Sequence, residues 1–393
     1  MRASSGFCKI FKRMNTPELR EQCARQLLAG AATAARLTAF VGLDGFVDEI
    51  LHVVDKRDSE NSFQRLATIP KLAERLAAAA GKSTNIEIVN QVTKLGGNGP
   101  IMANALAGFG LKVTYLGNLG WPHLHPVFAD FAKRADVHSI AEPGHTDALE
   151  FDDGKIMVGK IQSLNEVNWA NIQARFGRDE FTTRFTGADL VGFVNWTMLT
   201  HMGEIWEATL KEICPGMNGK RRVLFFDLAD PEKRKSDDIR QALKTIAAFE
   251  KYFDVILGLN EKEAHEIGEV LGLQATGKSA DALSALALEI NRLVPVNTLV
   301  VHPVSYALAA SNGAVSLAQG PFTPKPVITT GAGDHFNSGF CLGKLLGLDN
   351  AQSVLTGVTT SGHYVRTAQS PGIPDLAKML RSWPEESDSS HSV

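Results

Sequence analysis

The chain is short of cysteine, of charge imbalance and of long apolar runs. Its four cysteines, Cys8, Cys23, Cys214 and Cys341, are scattered over 393 residues with no Cys-x-x-Cys pair. That argues against a disulfide framework and a thiolate zinc site, and fits a reducing compartment where thiols serve as small apolar side chains. Lysine and arginine number 40 against 43 acids, a formal net charge of −3. No basic bias points to nucleic acid or to an anionic membrane. No apolar run reaches the ~18 residues of a membrane-spanning helix. The N-terminal "MRASSGFCKIFKRM" is basic yet lacks the apolar core of a secretory signal, and Met14 offers a second start. The expected location is the cytoplasm. The C-terminal "PEESDSSHSV" is polar and expected to fray. There is no internal repeat and no long low-complexity segment.

What remains is the composition of a globular α/β protein, 44% hydrophobic and 21% charged. Its length suits one large α/β domain with an insertion, or two domains. Short β-rich runs alternate with helical patterns. Strands are expected at "LTAFVGL" (from Leu37), "KVTYLG" (Lys112), "ADLVGFV" (Ala188), "RVLFFD" (Arg222), "FDVILG" (Phe253) and "NTLVVH" (Asn297). Helices are expected near Asn98–Phe109, Gly203–Ile213, Asp237–Phe249, Asn260–Leu271, Ala280–Leu293, Gly333–Leu346 and Asn350–Val365. Such alternation predicts a parallel sheet covered on both faces, with right-handed crossovers. Two stretches break the rhythm, "NIEIVNQVTKLGG" from Asn85 and "DALEFDDGKIMVGKI" from Asp147. Both alternate like exposed strands, and the second carries an Asp-Asp-Gly hairpin turn. They are expected to pair into a small sheet projecting from the main body.

"GLQATGKS", Gly272 to Ser279, matches the G-x-x-x-x-G-K-[ST] phosphate loop. A working loop needs a strand before it and a helix after it, so that its amides face the phosphates. Here "NEKEAHEIGEVL" precedes it, a helical pattern. The expectation is two helix-end glycines, Gly272 and Gly277, a solvated Lys278 and a helix capped by Ser279. A P-loop NTPase using 272–279 stays a remote alternative.

"VITTGAGDHFNSGF", Val327 to Phe340, carries more chemistry. Glycines at 331 and 333 let backbone approach a ligand closely. The helix that follows opens with unpartnered amides and partial positive charge, a place for an anion. In phosphoryl transfer the equatorial oxygens need such fixed donors, and a carboxylate beside them can take the acceptor's hydroxyl proton. A tight strand-to-helix turn with a dipole-complementing acid reads equally well from this stretch alone. A second glycine turn, "LGGNGPIMANALAGFG" from Leu95 to Gly110, also runs into a small-residue helix.

Together the two stretches resemble the paired signatures of the ribokinase-like (PfkB) carbohydrate kinases, over roughly Phe40 to Pro374. The resemblance implies a three-layer α/β/α sandwich with a mainly parallel central sheet and a small β lid. It divides the chain into an N-terminal extension or helix (1–36), a kinase domain (37–380) and a polar tail (381–393). Lid segments are expected near 51–58, 85–96 and 147–162. It implies ATP as co-substrate, Mg2+, and transfer of the γ-phosphate to a hydroxyl of a sugar or sugar-like small molecule. Asp334 takes the place of the general base, and Gly331, Ala332 and Gly333 that of the anion hole. Asn260 and Glu263 in "GLNEKEAHEIG" match an Asn-x-x-Glu motif that organises magnesium, Glu263 acting indirectly through water. Without the resemblance they read as good helix capping. Asp48 in "VGLDGFVDEI" matches the acid that binds sugar hydroxyls, with Asp44 second, and Gly96, Gly97 and Asn98 form the turn where lid meets sugar. Asp227 and Asp230 stand at a strand's C-terminal end, where open α/β sheets place ligands; Asp227 is taken as nucleotide- or magnesium-associated. His123 and His125 in "WPHLHP" lack a third ligand nearby in sequence. A homodimer through the lid is the expected partner arrangement.

Three positions depart from the family pattern. Ile328 stands where an acid usually helps hold a monovalent cation, which makes potassium activation doubtful. Ile101 stands where an asparagine often touches the sugar, with Asn98 and Asn104 nearby. Pro303 and Tyr306 stand where glycine is common beside the nucleotide. An ADP-dependent sugar kinase, a nucleoside kinase on the same fold and a non-catalytic nucleotide-binding regulator remain the alternatives.

Overall fold

The computed structural model describes residues 12–13, 15–274, 277 and 279–384. Cys8, Met14, Lys278 and the tail from residue 385 lie outside the described residues. Ten strands form the main sheet. In spatial order they are Lys12–Arg13, Ala314–Gln319, Tyr306–Ser311, Thr298–Val301, Phe253–Leu259, Arg222–Asp227, Leu190–Phe193, Thr38–Leu43, Lys112–Gly117 and Asp136–Ser139. All neighbours run parallel except Tyr306–Ser311, which is antiparallel to both of its own. Period-2 alternation sends successive side chains to opposite faces. In the strand Thr38–Leu43, Phe40 enters one core, while its neighbours Ala39 and Val41 enter the other. The first core is covered by the helices Arg178–Gly187, Met202–Glu212, Ser236–Phe249, Glu261–Val270 and Ala280–Leu293. The second is covered by Pro17–Ala34, Asn98–Gly108, Ala332–Leu345, Asn350–Thr367 and Ile373–Arg381. The result is the expected three-layer α/β/α sandwich.

The antiparallel strand has a local cause that the alternation argument passed over. Asn312 (φ 51) and Gly313 (φ 73) join Tyr306–Ser311 to Ala314–Gln319 as a two-residue hairpin. Asn-Gly is the pair such turns favour, because both positions need positive φ. Pro17–Ala34 falls in the expected N-terminal extension or helix, whereas the longer helices Ile69–Ala78, Arg178–Gly187 and Ile373–Arg381 were not expected individually.

A second sheet of five strands projects from the first. Phe46–Ser59 is its centre, paired antiparallel to Ile88–Gly96 and to Ser62–Arg65, and parallel to Gly144–Phe151. Gly154–Lys160 pairs with Gly144–Phe151 across the Asp152-Asp153 turn. The two irregular segments therefore share a sheet, but each pairs with Phe46–Ser59 rather than with the other. That strand begins before the expected 51–58, so Asp48 belongs to the lid. One lid face is sealed by the helix Ile69–Ala78, whose Leu72 packs with Val53, Leu66 and Phe151.

The phosphate-loop lookalike lies between the helices Glu261–Val270 and Ala280–Leu293, with no strand before it. Gly272 and Gly277 have φ of 77° and 105°, and Ser279 Oγ accepts from Ala282 N at 3.2 Å. The segment before it is thus a helix, not the strand that a phosphate cradle needs. No helix among the described residues is long and apolar enough to cross a membrane.

Candidate active site

Five neighbouring parallel strands end on polar residues along one edge of the sheet: Asp44, Asn195, Asp227, Asn260 and His302. Ligands of open α/β sheets bind at this carboxyl edge. The two glycine turns meet there.

Gly331 caps the helix Ala332–Leu345 with φ 89°, the left-handed region that favours glycine. A Cβ there would also press on Ile101 and on the Tyr364 hydroxyl, both within 3.3 Å. The helix opens with Asp334 in its first turn, only 7% exposed. Asn98 Nδ2, from the other glycine turn, donates to Asp334 Oδ1 at 3.1 Å. Burial pushes the Asp334 carboxyl up to about 8; the Asn98 amide opposes this, and the charges of Asp44 and Glu263 add to it. One expectation needs correction. The Ala332 N–H turns back onto Thr329 O at 3.1 Å. An anion at this turn is therefore left the amides of the flanking glycines rather than three in a row.

Asp44 is fully buried. Its carboxylate accepts from Asn98 N (3.0 Å), Gly99 N (2.8 Å) and Asn195 Nδ2 (2.8 Å). The Tyr115 hydroxyl donates to its backbone carbonyl. Burial raises its carboxyl to about 6 against those bonds. Asp44 thus ties the Gly97–Gly99 turn to the sheet and has no free face for a ligand, contrary to its place as second sugar candidate. Asp48 differs. Its register partners are Lys94 and Thr146 on the flanking lid strands. Its carboxyl is raised by burial, while the Thr146 hydroxyl and the charges of Lys94 and Lys155 pull it back. A Cβ on Gly96 would collide with that carboxylate, so only glycine leaves room for it.

Asn260 and Glu263 form a capping box. Asn260 Oδ1 accepts from Glu263 N at 2.9 Å, and Glu263 Oε2 accepts from Asn260 N at 2.8 Å. Glu263 Oε1 accepts from Asp230 N at 2.8 Å, bracing Ala229 and Asp230 in positive φ. Asp230 itself pairs with Lys233 and Lys262 on the surface. Asp227 is buried, and its Oδ2 accepts from Asn337 Nδ2 at 3.0 Å. Burial holds its carboxyl far above the usual range, and the charges of Glu263 and Asp334 push the same way. Three carboxyls that disfavour one another's ionisation are a setting a divalent cation relieves. Both Glu263 oxygens already accept backbone amides, so the fit is through water, as magnesium commonly binds. Among the described residues no three His, Cys, Asp or Glu side chains gather as a direct ligand set, and His123 and His125 are part of none.

Beside the turn lies a cavity of ≈ 340 Å³, lined by Ala332, Gly333, Asn260, His302, Tyr306 and Phe322 among others. That is the size of a small-molecule site. The His302 ring rests on Phe336, centroids 5.0 Å apart, and burial holds it down to about 4, so it is neutral. Pro303 and Tyr306, the departures noted above, are part of this wall.

Sequence reasoning missed Asn195, Asn337 and His302. Asn195 directly follows one expected strand and His302 ends another, and the strand-end rule applied to every strand would have found them.

This geometry joins a fold and a site that define one class, the ribokinase-like (PfkB) carbohydrate kinases. A model of the prokaryotic ketohexokinase family matches residues 14–383, and the chain belongs to that family. It is 29% identical over 338 residues to a ketohexokinase of Haloferax volcanii, covering 85% of this chain and 88% of that one. Among solved structures it resembles a fructokinase of Xylella fastidiosa with bound ATP (TM-score 0.60, 13% identity, 90% of this chain and 100% of that one). It also resembles an Arabidopsis thaliana ribokinase complexed with ribose and ATP (TM-score 0.58, 16% identity, 88% and 98%). The protein is a sugar kinase.

Proposed function

We propose that this kinase transfers the γ-phosphoryl group of ATP to a hydroxyl of a ketohexose, with Asp334 as general base. The observation that carries the reading is the convergence on Asp334. It sits in the first turn of a helix opened by the GAG turn and is bonded by Asn98 from the turn below the lid. The ketohexose rests on the family and on the Haloferax relative's name. ATP rests on the cavity beside Gly333 and on the neighbours that hold it.

In the proposed reaction the acceptor lies between Asp48 and Asp334, and the nucleotide fills the cavity between His302 and Phe322. The acceptor oxygen forms a bond to the γ-phosphorus as the bond to the β-phosphate oxygen breaks. The hydroxyl proton passes to the Asp334 carboxylate. Gly331 and Gly333 supply amides, and the helix N-terminus a partial positive charge, where negative charge spreads over the equatorial oxygens. Asp227, Asn260 and Glu263 would hold Mg2+ through water, and the ion would neutralise the phosphates. A coupled assay of ketohexoses, aldohexoses and nucleosides with ATP and with ADP tests this reading. Turnover of ketohexose with ATP is expected. Preference for a nucleoside acceptor or for ADP would overturn it.

Ile328 offers no side-chain oxygen, and a cation site needs several oxygen ligands. Exchanging potassium for tetramethylammonium should change the rate less than about threefold, under ~0.7 kcal/mol; a larger loss would show that backbone carbonyls suffice. The lid exposes Val92 (51%) and Met157 (50%). Apolar side chains exposed on both outer strands of a projecting sheet suit association, so sedimentation at micromolar concentration should show a homodimer. A monomer there would remove the lid as an interface.

A further inference from the structure

His335 follows Asp334 directly, and nothing in the GAGD pattern singles it out. It is 1% exposed. Its Nδ1 lies 2.7 Å from Gly331 O and its Nε2 lies 2.9 Å from Ser370 Oγ. A carbonyl only accepts, so Nδ1 carries the proton and Nε2 accepts from the serine hydroxyl. Ser370 Oγ accepts in turn from Asn104 Nδ2 at 3.4 Å. The imidazole lies flat on the Tyr364 ring, centroids 3.6 Å apart at 12°. The Tyr364 hydroxyl reaches back to donate to Thr330 O at 3.0 Å. Burial holds the imidazole down to about 4, against its bond to Gly331. It therefore stays neutral, in one tautomer.

Two successive carbonyls, those of Thr330 and Gly331, are thus gripped by side chains that are not part of the cavity wall. In a trans peptide the C=O of one residue and the N–H of the next point in opposite directions. Holding Thr330 C=O aims the Gly331 N–H, and holding Gly331 C=O aims the Ala332 N–H, which goes to Thr329 O. A glycine adopts either sign of φ with similar ease, so without a grip this turn would sample other backbone states. The Gly331 carbonyl also accepts the His335 backbone N–H at 3.1 Å. The side chain adds a second bond to the same oxygen, and that bond fixes the plane of the peptide as well as its distance from the helix.

We infer that His335 and Tyr364 form a positioning clamp that holds the Thr330–Gly331 backbone in the conformation presenting the Gly331 amide to the transferring phosphoryl group. This rests on the kinase reading above. His335 touches neither substrate; it acts through the backbone of the turn.

Three variants test the clamp. His335→Phe keeps the flat ring over Tyr364 and removes the donor. His335→Asn keeps a donor close to the Nδ1 position and removes the ring. Tyr364→Phe removes one hydroxyl only. Misplacing a catalytic donor by about 1 Å can cost ~10²-fold. His335→Phe should therefore lower kcat ~10–100-fold with the sugar KM within about twofold, because the acceptor is held from Asp48. His335→Asn should recover most of that loss, and Tyr364→Phe should lower kcat about tenfold without raising the sugar KM. A purely structural histidine predicts the reverse: lower thermal midpoints, and unchanged kcat for the folded fraction. Unchanged kcat in His335→Phe, or no recovery in His335→Asn, overturns the clamp. If the histidine variants do not fold, Tyr364→Phe decides by the same criterion. A readout independent of turnover separates this from the kinase reading. Nitrogen NMR of the wild-type imidazole should show the Nδ1–H tautomer unchanged from about pH 5.5 to 9. An Nε2–H tautomer, or titration in that range, overturns the clamp even if every sugar proves a substrate. Wild type without ketohexose turnover, but with that tautomer, would sink the reading and leave the clamp's geometry standing.

Discussion

Asp334→Asn is expected to lower kcat at least ~100-fold, the usual loss on removing a general base, with the fold intact. Asparagine can accept from Asn98 as aspartate does at 3.1 Å, but it cannot take a proton. ATP affinity should hold at neutral pH, where the carboxyl already carries its proton, and tighten slightly above about pH 8, where the variant lacks a negative charge near the phosphates. The carboxyl's folded value of about 8 lies above its unfolded value. The folded state then binds the extra proton between those values, so this group's contribution to stability is fully present below the unfolded value and is lost as pH rises toward 8. The asparagine variant removes that loss, and its thermal midpoint at neutral pH should be equal or higher. Activity runs the other way. Only the ionised form accepts the hydroxyl proton, so kcat/KM of the wild type should climb with pH up to about 8. The same rising limb in the asparagine variant, or more than a tenth of wild-type kcat, would remove Asp334 from the role of base.

Why was so much of this legible in the sequence, and where did legibility stop? Periodicity found the six strands that matter most, because buried parallel strands are short continuous runs of Val, Ile, Leu and Phe. The helix Ala280–Leu293 lies within its expected bounds, since Ser279 caps it and a leucine stripe faces the core. The hairpin at Asn312-Gly313 was written in its dipeptide and was overlooked because alternation had already suggested parallel pairing. The lid was harder. Phe46–Ser59 follows Thr38–Leu43 after only Asp44 and Gly45, so the two sheets are read as one run of apolar residues. Which partner each lid strand takes is a long-range choice with no local signature. At the site, the identity of Asp334 was visible in a motif, whereas its neighbours were not. Asn337 is recognisable only once the strand end carrying Asp227 is packed beside it, and His335 only once the turn's carbonyls have directions. The same limit explains Asp44 and Asp48, two acids four residues apart whose environments differ in ways that no spacing records.

Those two acids give the second large effect, in opposite measurements. Asp48→Ala should raise the ketohexose KM by roughly 100-fold or more. A carboxylate that receives two sugar hydroxyls makes charge-assisted bonds worth about 1.5–3 kcal/mol each. Stability should not suffer. Asp48 is 6% exposed and its charge is disfavoured by burial, so alanine removes a desolvated group. ATP affinity measured without sugar should not change. Gly96→Ala should copy part of the KM effect by displacing the same carboxylate. Asp44→Ala should do the contrary. It strands the amides of Asn98 and Gly99 and the Asn195 side chain in a site of 0% exposure. Unpartnered buried donors cost about 1–3 kcal/mol each, so a net loss of about 3 kcal/mol and a fall in thermal midpoint of roughly 6 °C or more are expected. kcat should fall with it, because the turn that Asp44 holds carries Asn98 to Asp334. Asp44→Asn should lie between, since its amide turns a donor toward a backbone N–H. Calorimetry and steady-state kinetics on the same preparations separate the two acids. If Asp44→Ala kept its thermal midpoint and lost only sugar affinity, Asp44 would be the sugar ligand and the assignment of the pair would be reversed.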